Sequence, residues 1–509
     1  MKDDIHFPKT ALASISFALL LFILLFSQWG FPFTTDSFIC ISTAQQVRAF
    51  HGLVFTNFFV IPPQPDYVPV ILEPPGYALL IALVSLMGTD EYTASILIPR
   101  LCCLFIPVLF FQIFRRIMPV SLALVSVFVA VFSFSLINTS LMAWTDVPYL
   151  FFCLISLLMI FRMIEQEGKT GPFFIFLAGI IGGYAFLIRY VGLVIFASAA
   201  VGGLLGVIFR IISIKNFIRI FCFYVLGVSL VALPYVIRNK MLFGTIQPYL
   251  IGHSYKPFAE NIGDYVRGLS EMVFASPMFD YAIVGILLGM VLVLIVHARG
   301  WMRRDNKSFI YGAILVCYFV FYSIFLIAYK TISFGNEDIG ERYLIQVEWL
   351  FTAGIVCGIG WLFKKIHSQR PFHSQAITGI LLMSFVLIQI FPAIDYYIFH
   401  KNVKRMVRAL KQYTLLIQEI PDYYILISNV ADITHYLSGR SVRLLSAYTP
   451  ADLKKIMGET NKFAVVLVKN QSFYNPSLGY HPFWNYPEGY RRVYSNSQIE
   501  ILLPQGDPA

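Results

Sequence analysis

The stretch PFFIFLAGIIGGYAFLI, residues 172–188, is followed at once by Arg189-Tyr190-Val191-Gly192 and then by an apolar run that continues to residue 209. Neither run contains a charged side chain. A bilayer core of about 30 Å takes roughly 20 mainly apolar residues per helix. The passage therefore reads as two membrane-spanning helices joined by a connection so short that its one arginine sits at a helix end.

Working outward, the same pattern recurs along most of the chain. Eleven candidate spans run over 11–29, 93–114, 120–141, 147–163, 172–188, 190–209, 217–237, 279–298, 309–328, 343–363 and 375–393. The apolar run at 76–88 is too short to cross and suits an interfacial or re-entrant helix. Phe26-Ser27-Gln28-Trp29-Gly30 offers no small-x-small cleavage site, so the first span is expected to be a retained anchor.

Composition excludes the other classes. Hydrophobic residues make up 58% and charged ones 13% of the 509 residues, against roughly 45–50% and 25% in soluble domains. Seven cysteines, mostly inside apolar runs, do not make a secreted disulfide framework. The net charge of +10 is not gathered on one solvated face, so no nucleic-acid partner is expected.

The basic residues instead set an orientation. With the N-terminus in the cytoplasm, sixteen Lys and Arg fall in inner loops and eight in outer ones, the bias that spanning proteins show. Acids run the other way: Asp36, Asp66, Glu73, Asp90, Asp146, Asp264, Glu337 and Glu341 are among those outside. Chemistry at the outer face is one cause of such an excess. Two outer connections, 30–92 and 238–278, are long and rich in Pro, Tyr and Phe, as folded caps would be.

Near residue 400 the pattern changes to that of a soluble domain. An amphipathic stretch at 402–419 precedes strand-like runs at 424–428, 463–468 and 499–503, with short helices expected at 431–438 and after Thr449-Pro450. The fold class expected is thus mainly α: a polytopic membrane domain, residues 1–393, with about eleven transmembrane helices, and a small extracytoplasmic α/β domain, residues 394–509. The membrane expected is the plasma (inner) membrane.

Several residues could carry chemistry at the outer face. Asp36 stands just past the first span, and Glu73-Pro74-Pro75-Gly76-Tyr77 leads into the short helix, so two carboxylates could share one outer ledge. Thr145-Asp146-Val147-Pro148 opens the fourth span, Leu187-Ile188-Arg189-Tyr190-Val191-Gly192-Leu193 joins the fifth and sixth, Pro234-Tyr235-Val236-Ile237-Arg238-Asn239 with Phe243-Gly244 closes the seventh, and Glu341-Arg342-Tyr343-Leu344 opens the tenth. In order and placement these motifs resemble the lipid-dependent glycosyltransferases of the GT-C class, particularly the dolichyl-phosphate-mannose protein mannosyltransferase-like family (glycosyltransferase family 39-like). Departures from that family are Ser37 where many members pair a second acid with the first, and Glu73 where His or Lys often precedes Pro-Pro.

The resemblance implies a GT-C fold and transfer of a sugar from a polyprenyl-phosphate donor to a glycan, lipid or protein acceptor, with inversion at the anomeric carbon. Side-chain chemistry fits. A carboxylate such as Asp36 can take the acceptor's proton as its oxygen attacks. Arg189, Arg238 and Arg342, all at outer helix ends, can meet the charge that develops on the departing lipid phosphate, although snorkelling into headgroups would also place them there. Asp36, Glu73 and Asp146 are hard oxygen ligands, so a divalent cation is an alternative use for them, whereas His51 and His253 have no metal-ligand spacing. Tyr77, Trp144, Tyr190 and Tyr343 are candidates for stacking on sugar rings, with core packing the default. Arg100, well inside its span, costs roughly 2.5–3.5 kcal/mol to insert and is expected to pair with Asp146 or a backbone carbonyl.

Two other classes compete. A lipid-linked sugar flippase or small-solute transporter would place polar residues at the midplane of several helices, but only Arg100 and Glu348 lie so deep. A non-catalytic scaffold leaves the shared outer position of Asp36 and the arginines unexplained.

Overall fold

The computed structural model describes residues 6–27, 33–56, 67–70, 73–246, 256–274, 306–332, 339, 341–367, 417–420, 424–428, 442–444, 463–468, 490–495 and 499–504. In chain order the elements are α1 (His6–Ser27), α2 (Thr35–Arg48), β1 (Val54–Thr56), β2 (Tyr67–Pro69), α3 (Gly76–Ser85), α4 (Glu91–Phe114), α5 (Val120–Val131), α6 (Phe134–Leu141), α7 (Asp146–Glu165), α8 (Pro172–Ile188), α9 (Leu193–Ile208), α10 (Ile214–Phe243), α11 (Phe258–Phe274), α12 (Asn306–Ile332), α13 (Glu341–His367), β3 (Ile425–Ser428), β4 (Val442–Leu444), β5 (Phe463–Val468), β6 (Tyr490–Ser495) and β7 (Ile499–Pro504). They fall into two compact units, Met1–Ser27 with Ile71–Asp395 and Gln28–Val70 with Tyr396–Ala509.

The first unit is a multi-pass membrane bundle. Among the described residues six helices are long and apolar enough to cross a bilayer, and the bent pair α5–α6 makes a seventh. They lie on the expected spans, and the shorter apolar helices α1, α3 and α8 coincide with the runs at 11–29, 76–88 and 172–188. The expected spans at 279–298 and 375–393 lie outside the described residues.

Two features differ from expectation for stated physical reasons. The run at 120–141 is one apolar stretch, yet the helix axis bends by 50° within it. Ser133 causes the break: its side chain accepts from the Leu136 amide at 3.3 Å and so restarts the helix as an N-cap. The same hydroxyl lies 3.3 Å from a carboxylate oxygen of the buried Glu348 on α13. Second, α10 runs through Pro234 to Phe243, beyond the expected end at 237. A proline in a spanning helix is tolerated where neighbours re-satisfy the freed carbonyl, and the helix stops only at Gly244, whose φ of 72° is left-handed. The connection after it is correspondingly shorter, and α11 fills much of the remainder.

In the second unit, α2 begins at Thr35. Thr34 and Ser37 close a capping box, the Thr34 amide donating to Ser37 Oγ at 3.0 Å. Asp36 therefore stands in the first turn of a helix, where the exposed amides favour a carboxylate, and not in an open loop. Strands β1 and β2 pair antiparallel, Val54 opposite Pro69. The C-terminal strands form a mixed sheet in the order β4-β3-β5-β7-β6, with β3 parallel to β4 and β5, and β7 antiparallel to β5 and β6. The helices expected at 431–438 and after Thr449, and nearly all of 402–419, lie outside the described residues.

Candidate active site

Helix α7 begins with Asp146 in its first turn, directly after Thr145. Helix α8 ends at Ile188, and Arg189 leaves it with extended backbone (φ −147°, ψ 133°) before the single turn Tyr190–Gly192 starts α9. That kink swings the Arg189 side chain out of both helices and towards the start of α7. Arg189 Nη2 lies 3.0 Å from Asp146 Oδ1, and Arg189 Nε donates to Thr145 Oγ1 at 2.9 Å.

Two glycines allow the approach. A Cβ on Gly192 would stand 2.5–2.8 Å from the backbone of Phe186 and Ala185, so the turn could not fold back on α8 with any larger residue. A Cβ on Gly76 would stand 2.6 Å from the Leu187 carbonyl atoms. Only glycine lets the Glu73–Gly76 segment lie against the end of α8, where Tyr184 Oη donates to the Gly76 carbonyl at 2.8 Å. Glu73, half-buried, thereby comes within electrostatic range of Arg189 and Tyr190.

Helix α13 supplies the opposite wall. Arg342 Nε is 3.9 Å from Asp146 Oδ2, and its guanidinium lies 4.9 Å from the Trp144 ring centroid. One turn on, Gln346 Nε2 donates to the Asp146 carbonyl at 2.9 Å. Tyr343 sits at the centre of the group. Its ring centroid is 5.5 Å from Arg189, 5.4 Å from Arg342 and 4.4 Å from Lys330 Nζ, the last carried by the end of α12. Tyr322 Oη donates to the Tyr343 carbonyl at 2.6 Å and fixes that ring's backbone.

The cluster is dry. Asp146 is 0% exposed, Lys330 5% and Arg189 8%. Burial alone would work against the Arg189 charge, but the Asp146 carboxylate, with help from Glu73, outweighs both burial and the repulsion of Arg342 and raises the guanidinium's pKa above its ordinary value. Among the described residues the cations Arg189, Arg342 and Lys330 stand with the carboxylates Asp146 and Glu73. An anion fits such surroundings better than a metal ion, because Asp146 already faces two guanidinium groups. Among the described residues no three His, Cys, Asp or Glu side chains converge as a metal site would require.

The sequence candidates thus divide. Arg189, Arg342, Asp146 and Glu73 come together. Arg238 stands among Tyr235 and Phe243, 6.0 Å from each ring centroid, and donates to Asn239 Oδ1 at 3.0 Å. Tyr235 is in turn joined to Tyr190 through their hydroxyls at 2.9 Å. Tyr77 is 0% exposed, its hydroxyl given to the Ser95 carbonyl, which makes it a packing residue of α3 against α4 and not a stacking platform. The expected pair of Arg100 with Asp146 gives way to Arg189 and Arg342, and Arg100 Nε is buried without a hydrogen-bond partner among the described residues. Asp36, half-buried, belongs to the second unit. His253 lies outside the described residues. Lys330 and Gln346 were not singled out from the sequence, and Thr145 only as a member of the motif that opens the fourth span; Lys330 was visible there only as a basic residue closing one apolar run shortly before Arg342 opens the next.

Residues 72–237 match the family described as dolichyl-phosphate-mannose-protein mannosyltransferase, and the resemblance read from the motifs holds over that segment, which includes Glu73, Asp146 and Arg189. No curated protein matches the sequence. Among solved structures the chain is similar to ArnT from Cupriavidus metallidurans bound to undecaprenyl phosphate, with 12% identity, TM-score 0.57, and 96% of this chain and 97% of that chain covered. It is also similar to the Archaeoglobus fulgidus oligosaccharyltransferase in complex with Zn and sulfate, with 12% identity, TM-score 0.55, and 88% and 68% covered. The archaeal oligosaccharyltransferase AglB from the same organism, in complex with an inhibitory peptide and a dolichol-phosphate, matches at 12% identity and TM-score 0.50, with 89% and 69% covered. At these identities the likeness is one of fold alone.

Proposed function

We propose that the protein is an integral-membrane glycosyltransferase that moves a sugar from a polyprenyl-phosphate donor to a glycan, lipid or protein acceptor at the outer face of the plasma membrane. The observation that carries this reading is the convergence of Arg189, Arg342 and Lys330 on Tyr343 beside the buried Asp146. A departing phosphate gains negative charge in the transition state, and fixed cations in a dry site meet it without reorganisation. The family match over residues 72–237 supports the same donor chemistry.

The reaction follows in outline. The acceptor oxygen attacks the anomeric carbon from the face opposite the phosphate, and its proton passes to the Asp36 carboxylate. The bond from the anomeric carbon to the phosphate oxygen breaks, and its electron pair leaves with the phosphate, which changes from a singly charged diester to a doubly charged monoester. Inversion results. Arg189 and Arg342 hold the phosphate oxygens, Lys330 adds charge behind the Tyr343 ring, and Arg238 with its aromatic neighbours extends the basic surface. Glu73 and Asp146 hold the arginines in place.

The arrangement in the membrane that suits this reading has a cytoplasmic N-terminus, about eleven spans in a catalytic domain of residues 1–393, and residues 394–509 outside as an α/β domain. The test is turnover of a labelled polyprenyl-phosphate sugar by the protein in nanodiscs, with mass spectrometry of cell-envelope glycans from cells with and without it to identify the sugar and acceptor. Envelope glycans that do not change, together with no release of polyprenyl phosphate in vitro, would overturn the proposal.

A further inference from the structure

A cleft with apolar walls lies at the end of the bundle away from the candidate active site. Asp146 opens α7 at that site, and the far end of the same helix contributes Ile164 to the cleft. The other walls are Ala200 and Gly203 of α9 and Phe217 and Phe221 of α10. Counted with its open side, the cleft holds about 480 Å³.

The cleft exists because α9 and α10 are drawn to different partners. A Cβ on Gly179 or Gly227 would stand 2.2 Å from a carbonyl oxygen of the facing helix, so α8 and α10 lie backbone to backbone. Helix α9 packs instead on α12, where a Cβ on Gly202 would meet the Ile314 side chain at 2.4 Å. Between α9 and α10 the contacts are made by rings, Phe196 with Phe221 at 5.8 Å and with Tyr224 at 6.2 Å. Leu204 and Ile208 on α9 and Ile214 and Ile218 on α10 are exposed, so the surface beside the cleft is apolar, as one facing lipid is.

The end of the cleft is basic. Ile212, on the connection from α9 to α10, also lines it, and the exposed Arg210 and Lys215 flank Ile212 in the chain. Arg219, one turn along α10, is held by the Gly168 and Thr170 carbonyls. Among the described residues the acids at this end are Glu165 and Glu167, and they are engaged by Arg116 and Lys307. Apolar walls ending in cations suit a molecule that joins a hydrocarbon chain to an anion, and basic pockets between spanning helices take acidic lipid headgroups.

We infer that this cleft binds an anionic phospholipid, with an acyl chain between α9 and α10 and the phosphate beside Arg210 and Lys215. The chain would be held by either a neutral or an acidic lipid; the two cations select the acidic one. The lipid belongs to the leaflet at the opposite end of the bundle from Asp146, and the inference does not depend on the reaction proposed there.

The test uses the full-length protein in phosphatidylcholine nanodiscs carrying a trace of phosphatidylglycerol or phosphatidylcholine with a photoreactive acyl chain, and maps the labelled peptides. The phosphatidylglycerol probe should label Phe217, Phe221 and their neighbours several-fold more than the phosphatidylcholine probe. Arg210→Gln with Lys215→Gln should remove that preference, each cation being worth about fivefold, and should leave labelling by the neutral probe as it was. Ala200→Trp, which fills the cleft, should cut labelling by both. The charge variants change only exposed side chains, so they decide the matter even where Ala200→Trp fails to fold. Equal labelling by the two headgroups, a preference that survives loss of both cations, or labelling by a photoreactive polyprenyl phosphate ahead of phosphatidylglycerol would each overturn the inference, as would a folded Ala200→Trp protein that labels like the parent.

Discussion

Arg189 closes α8 and Asp146 opens α7, and their side chains meet at 3.0 Å with the carboxylate fully buried. The pair links two chain segments that the sequence presents as separate helix ends. Breaking a buried pair by removing one partner costs about 3–5 kcal/mol, because the other charge stays behind in dry surroundings. Arg189→Ala is therefore expected to melt far below the parent protein. Arg189→Lys keeps the charge but not the fork that reaches Asp146 and Thr145 together; with one charged hydrogen bond worth about 1.5–3 kcal/mol, donor kcat/KM should fall about tenfold or more.

Arg342 makes the longer contact to Asp146, 3.9 Å, with its guanidinium 4.9 Å from the Trp144 ring centroid. Arg342→Ala should raise the KM for the lipid-phosphate donor more than that for the acceptor. Initial rates with each substrate varied in turn decide this, and a larger effect on the acceptor would reject phosphate binding. Lys330→Gln should act in the same direction.

Asp36→Asn is expected to abolish transfer while the protein still folds. Loss of a charge in the first turn of α2 costs only about 0.3–1 kcal/mol, so the melting curve should hardly move. Near-normal turnover by this variant would exclude Asp36 as the base.

Gly76→Ala places a methyl group 2.6 Å from the Leu187 backbone carbonyl, where no flexible side chain can yield. Overpacking of this kind costs about 1–3 kcal/mol. Because the same segment carries Glu73, donor turnover should drop along with stability, whereas Gly171→Ala, where the added atom meets nothing within 4 Å, should leave both close to the parent.

Asp90 caps α4, accepting from the Thr93 amide at 2.9 Å and the Thr93 hydroxyl at 2.6 Å. The Thr93 hydroxyl above all, helped by backbone amides and opposed by slight burial, lowers its pKa. The folded pKa being below the unfolded value of about 3.9, the cap's contribution is full above that value and fades as pH falls through the folded pKa. Asp90→Ala should cost about 1 kcal/mol at neutral pH, and the gap between the two melting curves should close in acid.

The membrane bundle was largely legible because an apolar run of spanning length has few other uses. In the C-terminal sheet the line between what was read and what was missed follows strand position. The central strands β3, β5 and β7 were recognised from their mostly apolar, strand-like runs, while β4 and β6 were not. These two are the edges, where Val442-Arg443-Leu444 and Tyr490-Arg491-Arg492 carry charges of the kind that blunt edge pairing and hide the strand pattern. At the candidate site the residue types were readable but their pairing was not: Gln346 and Asp146 are 200 residues apart, and nothing local says that α13 should meet the start of α7. The bend at Ser133 was missed because a serine in an apolar run gives no sign that its own side chain will cap a new helix.

Three like charges around the single ring of Tyr343 also bear on the protein without ligand. Asp146 already offsets part of the repulsion among them, and an anion settling there would add to that offset. An anionic ligand that binds only the folded form should raise the melting point with the logarithm of its concentration. Ligand-dependent melting thus makes binding at the cluster measurable before any reaction has been assayed.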